Sequence, residues 1–162
     1  MSLGFGKIPV DQWEKVKAGV REDTVDAGDY FGKMTGFKNF PAERSKKGIG
    51  NVNIEFTLTN RNPDKSLHGK KVVYRGFYHP DYDNASTGHQ QMTDITATTL
   101  AQLVDDACNA TPELNEEGVF DQILTLEKVV KSQPEVLFEV THESRDGREM
   151  QSVGRFRPIT TG

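Results

Sequence analysis

Cysteine is almost absent from this 162-residue chain: Cys108 stands alone, so it can form no internal disulfide and cannot by itself nucleate a thiolate zinc site. A reducing compartment is the expectation. Long apolar runs are also missing, and no stretch approaches the roughly 18 residues of a membrane span. The N-terminus lacks the apolar core of a signal peptide, so a soluble cytoplasmic protein with no membrane partner is expected. Neither repeats nor low-complexity tracts occur, which favours one folded unit. Leu, Ile, Val and Phe make up about 23% of the residues, modestly above the ~20% below which a core fails to form.

Catalytic signatures are equally scarce. His68, His79, His89 and His142 form no HxxxH or HExxH arrangement, and Asp81 and Asp83 fall in a run of Asp, Asn and Ser that reads as a turn. Asp105 and Asp106 are neighbours, about 100° apart on a helix, so they cannot converge on one ion. Gly48-Ile49-Gly50 is not followed by the Gly-Lys-Ser/Thr of a phosphate-binding loop. A protein without enzymatic activity, metal or cofactor is expected.

Charge, by contrast, is present and unevenly spread. The net charge of −4 conceals +7 over residues 31–79 and −11 over residues 80–143. Such segregation implies one basic and one acidic surface, and hence an anionic partner.

Alternation of Val52, Ile54, Phe56 and Leu58 with Asn53, Glu55, Thr57 and Thr59 predicts a strand with one buried face over 51–60. Before it, the aromatic segment 28–40 carries Gly32 and Gly36, which suit a strongly curved strand. After it, the β-branched and aromatic segment 70–79 predicts a third strand, with a possible bulge at Gly76. Leu100, Leu103, Val104 and Ala107 then recur at helical spacing, with Thr99 and Gln102 fitting a capping box, and 120–131 suggests a second helix stopped by Pro134. Segments 135–142 and 149–156 flank Asp146-Gly147, a strong hairpin signal. The order of three strands, helical insertion and two strands matches a mainly β protein with the five-stranded OB-fold Greek-key barrel. That domain is expected to span residues 28–158. A tail follows at 159–162, and 1–27 precede it as an arm or short helix bearing Trp13, Val16 and Val20.

Basic residues interleaved with aromatics mark a surface for single strands, because phosphates attract Lys and Arg while unpaired bases stack on flat rings. Candidates in the three-strand meander are Lys33, Phe37, Lys38, Phe40, Arg44, Lys46, Lys47, Arg61, Lys70, Lys71, Tyr74, Arg75 and Tyr78. Arg44, Lys46 and Lys47 belong to the loop 41–50, expected to close over a phosphate backbone. Arg155 and Arg157, on either side of Phe156, extend the basic surface. Alternation puts Tyr74, Gly76 and Tyr78 on one face of the third strand and Val73, Arg75 and Phe77 on the other. The tyrosine face is expected to line the groove and Phe77 to fill the core.

The layout resembles the OB-fold single-stranded DNA-binding proteins of tailed bacteriophages across residues 26–158. The resemblance is carried by Gly28-Asp29-Tyr30 opening the first strand, Asn51 to Leu58 as the second, and Leu67-His68-Gly69-Lys70-Lys71-Val72 leading into the third. It continues with a helix from Thr98 to Ala110 and the closing Val153-Gly154-Arg155-Phe156-Arg157-Pro158. It implies sequence-independent coating of single-stranded DNA during phage replication or recombination in the bacterial cytoplasm, alongside replication or recombination proteins. Many replicative single-strand binders end in an acidic tail, whereas this sequence ends Arg-Pro-Ile-Thr-Thr-Gly. The competing expectation is a protein-interaction module, such as a phage structural adaptor, in which the meander packs on another chain and its charges form a polar rim.

Overall fold

The computed structural model describes residues 22–40, 48–110, 122–145 and 147–159. They form a five-stranded antiparallel sheet in the order β3-β2-β1-β4-β5, with two helices. Its strands are β1 (Gly28–Phe40), β2 (Gly50–Leu58), β3 (Lys71–Tyr78), β4 (Glu135–Arg145) and β5 (Arg148–Arg157). The helices, α1 (Thr87–Ala101) and α2 (Gln122–Val129), lie between β3 and β4 in sequence.

One face of the sheet is apolar and nearly solvent-free. Val52, Ile54, Phe56 and Leu58 are at most 1% exposed, as the alternation of β2 requires. Met34, Val72, Val136, Phe138 and Val140 join them, and Leu100, Leu103, Val104 and Leu126 close the core from the helical side. Small residues admit the large rings. A Cβ on Gly32 would lie 2.5 Å from Phe138 Cε1, and one on Gly50 would collide with the ring of Tyr78.

The sheet is curved but not closed. The rings of Tyr74 on β3 and Phe156 on β5 meet edge to face at 5.6 Å, yet no hydrogen-bonded ladder joins the two strands among the described residues. Residues 22–26 fill that seam instead. Asp23 N–H donates to Lys71 O at 2.7 Å, and Lys71 N–H donates to Asp23 Oδ2 at 2.8 Å. Val25 N–H reaches Gln151 Oε1, Val25 O meets His142 Nε2, and the Val25 side chain is buried in the core. Residues 22–26 of the expected arm are thus hydrogen-bonded to β3, β4 and β5, while residues 1–21 lie outside the described residues.

The helices differ most from expectation. α1 begins at Thr87, capped by Ser86 Oγ accepting from His89 N–H, rather than near Thr98. Thr99 is inside this helix and its hydroxyl donates to Ile95 O, so it caps nothing. The early turns were hidden from the sequence because only Thr96 and Leu100 of α1 are buried, which leaves no apolar period to read. A π-helical turn over Gln102–Ala107 continues α1 and turns Leu103, Val104 and Ala107 into the core. The hairpin forms as expected: Arg145 pairs with Arg148 around two intervening residues, with Gly147 in the left-handed region at φ 75°.

Candidate nucleic-acid interface

The site follows from one extra residue in β1. Between Met34 and Gly36 the register of β1 against β2 slips by one, a β-bulge that reverses which side chains face the core. Met34 faces inward before it. After it Phe37, opposite Ile54, and Asn39, opposite Val52, face inward, while Lys38 and Phe40 turn to the outer face. Thr35, left over at the bulge, bonds through its hydroxyl to Glu55 Oε1 at 2.8 Å and Thr57 Oγ1 at 2.9 Å.

Pairing across β1, β2 and β3 then arranges the outer face in rows. Phe40, Asn51 and Phe77 form one row, and Lys38, Asn53 and Arg75 the next. Further along, Lys33, Thr57 and Lys71 form a third, continued on β4 by Glu135. Phe77 is 43% exposed, Phe40 is half-buried, and Lys38 and Arg75 are exposed. The aromatic row lies where β1 ends and β2 begins; Arg44, Lys46 and Lys47, in the segment 41–47 between those strands, lie outside the described residues. The Oδ1 atoms of Asn51 and Asn53, within these two rows, are buried with no hydrogen-bond partner among the described residues.

The tyrosines are on the other side, which corrects the expected assignment of faces. Tyr74 is 7% exposed and packs on Phe156, and burial raises its pKa above that of a free phenol. Tyr78 is half-buried against the core, and its hydroxyl donates to Asn39 Oδ1 at 2.9 Å. Strict alternation holds along β3 through Gly76, so the parity was right and the sidedness inverted. Gly76 is not a bulge: a Cβ there would lie 2.7 Å from both Thr96 Cγ2 and Tyr74 Oη, so α1 packs directly on this position. Phe37 is likewise a core-side residue, packed on the buried cluster, and so is not a stacking platform.

Carboxylates temper the basic surface. Arg61 pairs with Glu135 at 2.7 Å, Lys71 with Glu55 at 3.5 Å, Arg75 with Glu22 at 2.7 Å, Arg155 with Glu139 at 3.3 Å and Arg157 with Asp29 at 2.8 Å. Burial opposes ionisation of Glu135, but hydrogen bonds from Thr59 and Arg61 and the Arg61 charge outweigh it and lower its pKa. Arg61 also lies over the ring of Phe31 at 5.7 Å, which fixes it away from the aromatic row. Lys33 and Lys38 are exposed and Lys70 half-buried, and all three lack an ion pair among the described residues. Arg155 and Arg157, on β5, are engaged by Glu139 on β4 and Asp29 on β1, and no strand pairing among the described residues places them in the rows of β1, β2 and β3. Arg155 adopts a left-handed φ of 50° next to the β4–β5 register shift, a bulge that turns it to Glu139.

Sequence reasoning overlooked Phe77 as a surface ring, the two asparagines, and Glu22. Only the asparagines left a signal, as polar residues on the outward positions of β2, which they share with Glu55 and Thr57.

Among the described residues no group of three or more His, Cys, Asp or Glu side chains is arranged to hold a metal ion, and no helix is long and apolar enough to cross a membrane. No protein-family model matches the chain, and no curated protein is significantly similar to it.

Proposed function

We propose that this protein binds single-stranded DNA without sequence readout and without catalysis, on the outer face of β1, β2 and β3. The observation that carries the reading is the solvent-exposed ring of Phe77, in a row with Phe40 and beside the exposed cations Lys38 and Arg75. Rings set beside cations on a curved sheet suit a flexible strand: each base offers a π face, and each phosphate a charge. Duplex DNA hides its faces in the stack and has no such fit. Lys33 extends the cationic track on the outer face, and the sequence adds Arg44, Lys46 and Lys47 in the segment that joins β1 to β2.

An OB-type barrel is the architecture that this reading invokes. It is supported by the strand order, by helices inserted between β3 and β4, and by the approach of Tyr74 to Phe156 across the seam between β3 and β5. Phage-type replication or recombination, with the proteins that act there, is the process that the resemblance suggests. A second reading, a protein-interaction module, draws on Ile95 and Tyr82, exposed by 67% and 41% on the helical side.

Titration of labelled oligo-dT against duplex DNA of equal length decides between them. Preference for oligo-dT, with roughly 4 to 16 nucleotides covered per chain, supports the proposal. Equal or tighter duplex binding, or none to either, refutes it.

A further inference from the structure

Glu22 has both carboxylate oxygens engaged. Oε2 is 2.7 Å from Arg75 Nη2, and Oε1 accepts from Gln151 Nε2 at 2.9 Å. The Gln151 amide has its orientation fixed, since its Oε1 already accepts from Val25 N–H at 2.9 Å and its Nε2 also donates to Asp23 O at 3.0 Å. Two donors from strands on opposite sides of the seam, one charged and one neutral, thus converge on a single anion. A guanidinium with an adjacent amide N–H is also what a phosphate oxygen pair needs. We propose that Arg75 and Gln151 form a binding site for a backbone phosphate, which the Glu22 carboxylate occupies until a strand displaces it. The nucleic-acid part rests on the function proposed above, because Arg75 shares a row with Lys38, with Asn53 between them.

The contact is built to be exchanged. The Arg75 side chain is 40% exposed and that of Glu22 19% exposed, so solvent and ligand reach the pair from the Arg75 side. The chain after Glu22 is held independently by the Asp23–Lys71 backbone contacts and by the buried Val25. The carboxylate can therefore leave Arg75 while residues 23–26 stay in the seam. Its presence also repels an incoming phosphate, so its charge sets the affinity of the site.

The experiment compares wild type with Glu22→Gln and Glu22→Ala. Oligo-dT should bind both variants about two- to five-fold more tightly, the fold-change equivalent to the pair being removed. The slope of log affinity against log salt should stay close to that of wild type, because Arg75 neutralises the same phosphate once the strand is bound. In a second arm without nucleic acid, inorganic phosphate should raise the melting temperature of Glu22→Ala but not of wild type or Glu22→Ala/Arg75→Gln. A phosphate effect with no oligo-dT binding by any form would keep the anion site and overturn the function proposed above. Oligo-dT binding that Glu22 substitution leaves unchanged or weakens, with no phosphate effect, would overturn the anion site and leave that function standing.

Discussion

Replacing Tyr74 and Phe77 separately by alanine should give opposite phenotypes, although they are three residues apart on one strand. Tyr74 is 7% exposed, with its ring against Phe156 at 5.6 Å, so truncation leaves a cavity in the cluster that joins β2, β3, β4 and β5. The loss should be about 3 to 5 kcal/mol. At roughly 2 to 4 °C per kcal/mol for a chain of this size, melting should fall by about 6 to 20 °C. Phe77, 43% exposed, has far less packing to lose, and its alanine variant should melt close to wild type. What it loses is one stacking platform, about 1 to 3 kcal/mol, a roughly 5- to 150-fold weaker grip on oligo-dT. Circular-dichroism melts and fluorescence-anisotropy titrations on the two purified variants read both quantities. If Phe77→Ala loses stability as Tyr74→Ala does while binding is unchanged, the reasoning about the outer face fails.

Further outcomes follow from single features. Lys38→Ala, and separately Lys46→Ala/Lys47→Ala, should flatten the salt dependence by about 0.7 for each phosphate no longer neutralised; an unchanged slope would mean that the residues do not touch the backbone. Asn53→Val replaces a buried unpartnered oxygen on a central strand with a β-branched side chain and should raise the melting temperature, while a fall would show that Oδ1 has a partner. Cys108, whose thiol burial pushes up to about 11, should alkylate slowly with iodoacetamide at pH 8 and faster only as the pH approaches that value. Glu135 has a lowered folded pKa, so its contribution to stability is present above the ordinary carboxylate range and lost as pH falls through the folded value; the melting difference between wild type and Glu135→Gln should shrink on acidification from pH 7 to 3.

The strands were legible because pleat and composition coincide. β1 has the bounds expected, and β2 and β3 fall within a residue or two of theirs. The period of two, however, reports only that Tyr74 and Phe77 face opposite ways. Which way is inward depends on Phe56, Phe138 and Phe156 gathering at 5.1 to 6.4 Å, contacts between distant strands. The bulge at Thr35 was equally hidden, and it moves Lys38 and Phe40 onto the outer face while removing Phe37 from it. The charge count of residues 31–79 treated cations as available, whereas Arg75 meets Glu22 and Arg61 meets Glu135 only through the fold. The open seam had no local signature, since residues 22–26 lack strand periodicity and are held by Lys71, His142 and Gln151.

The most direct test of the outer-face interface is the amide chemical-shift map of the isotope-labelled chain on addition of oligo-dT. The largest changes are expected at residues 38–40, 51–53 and 75–77, where the aromatic and basic rows meet across β1, β2 and β3. Changes confined to α1 around Ile95 and to Tyr82, or none at saturating oligonucleotide, would contradict the account.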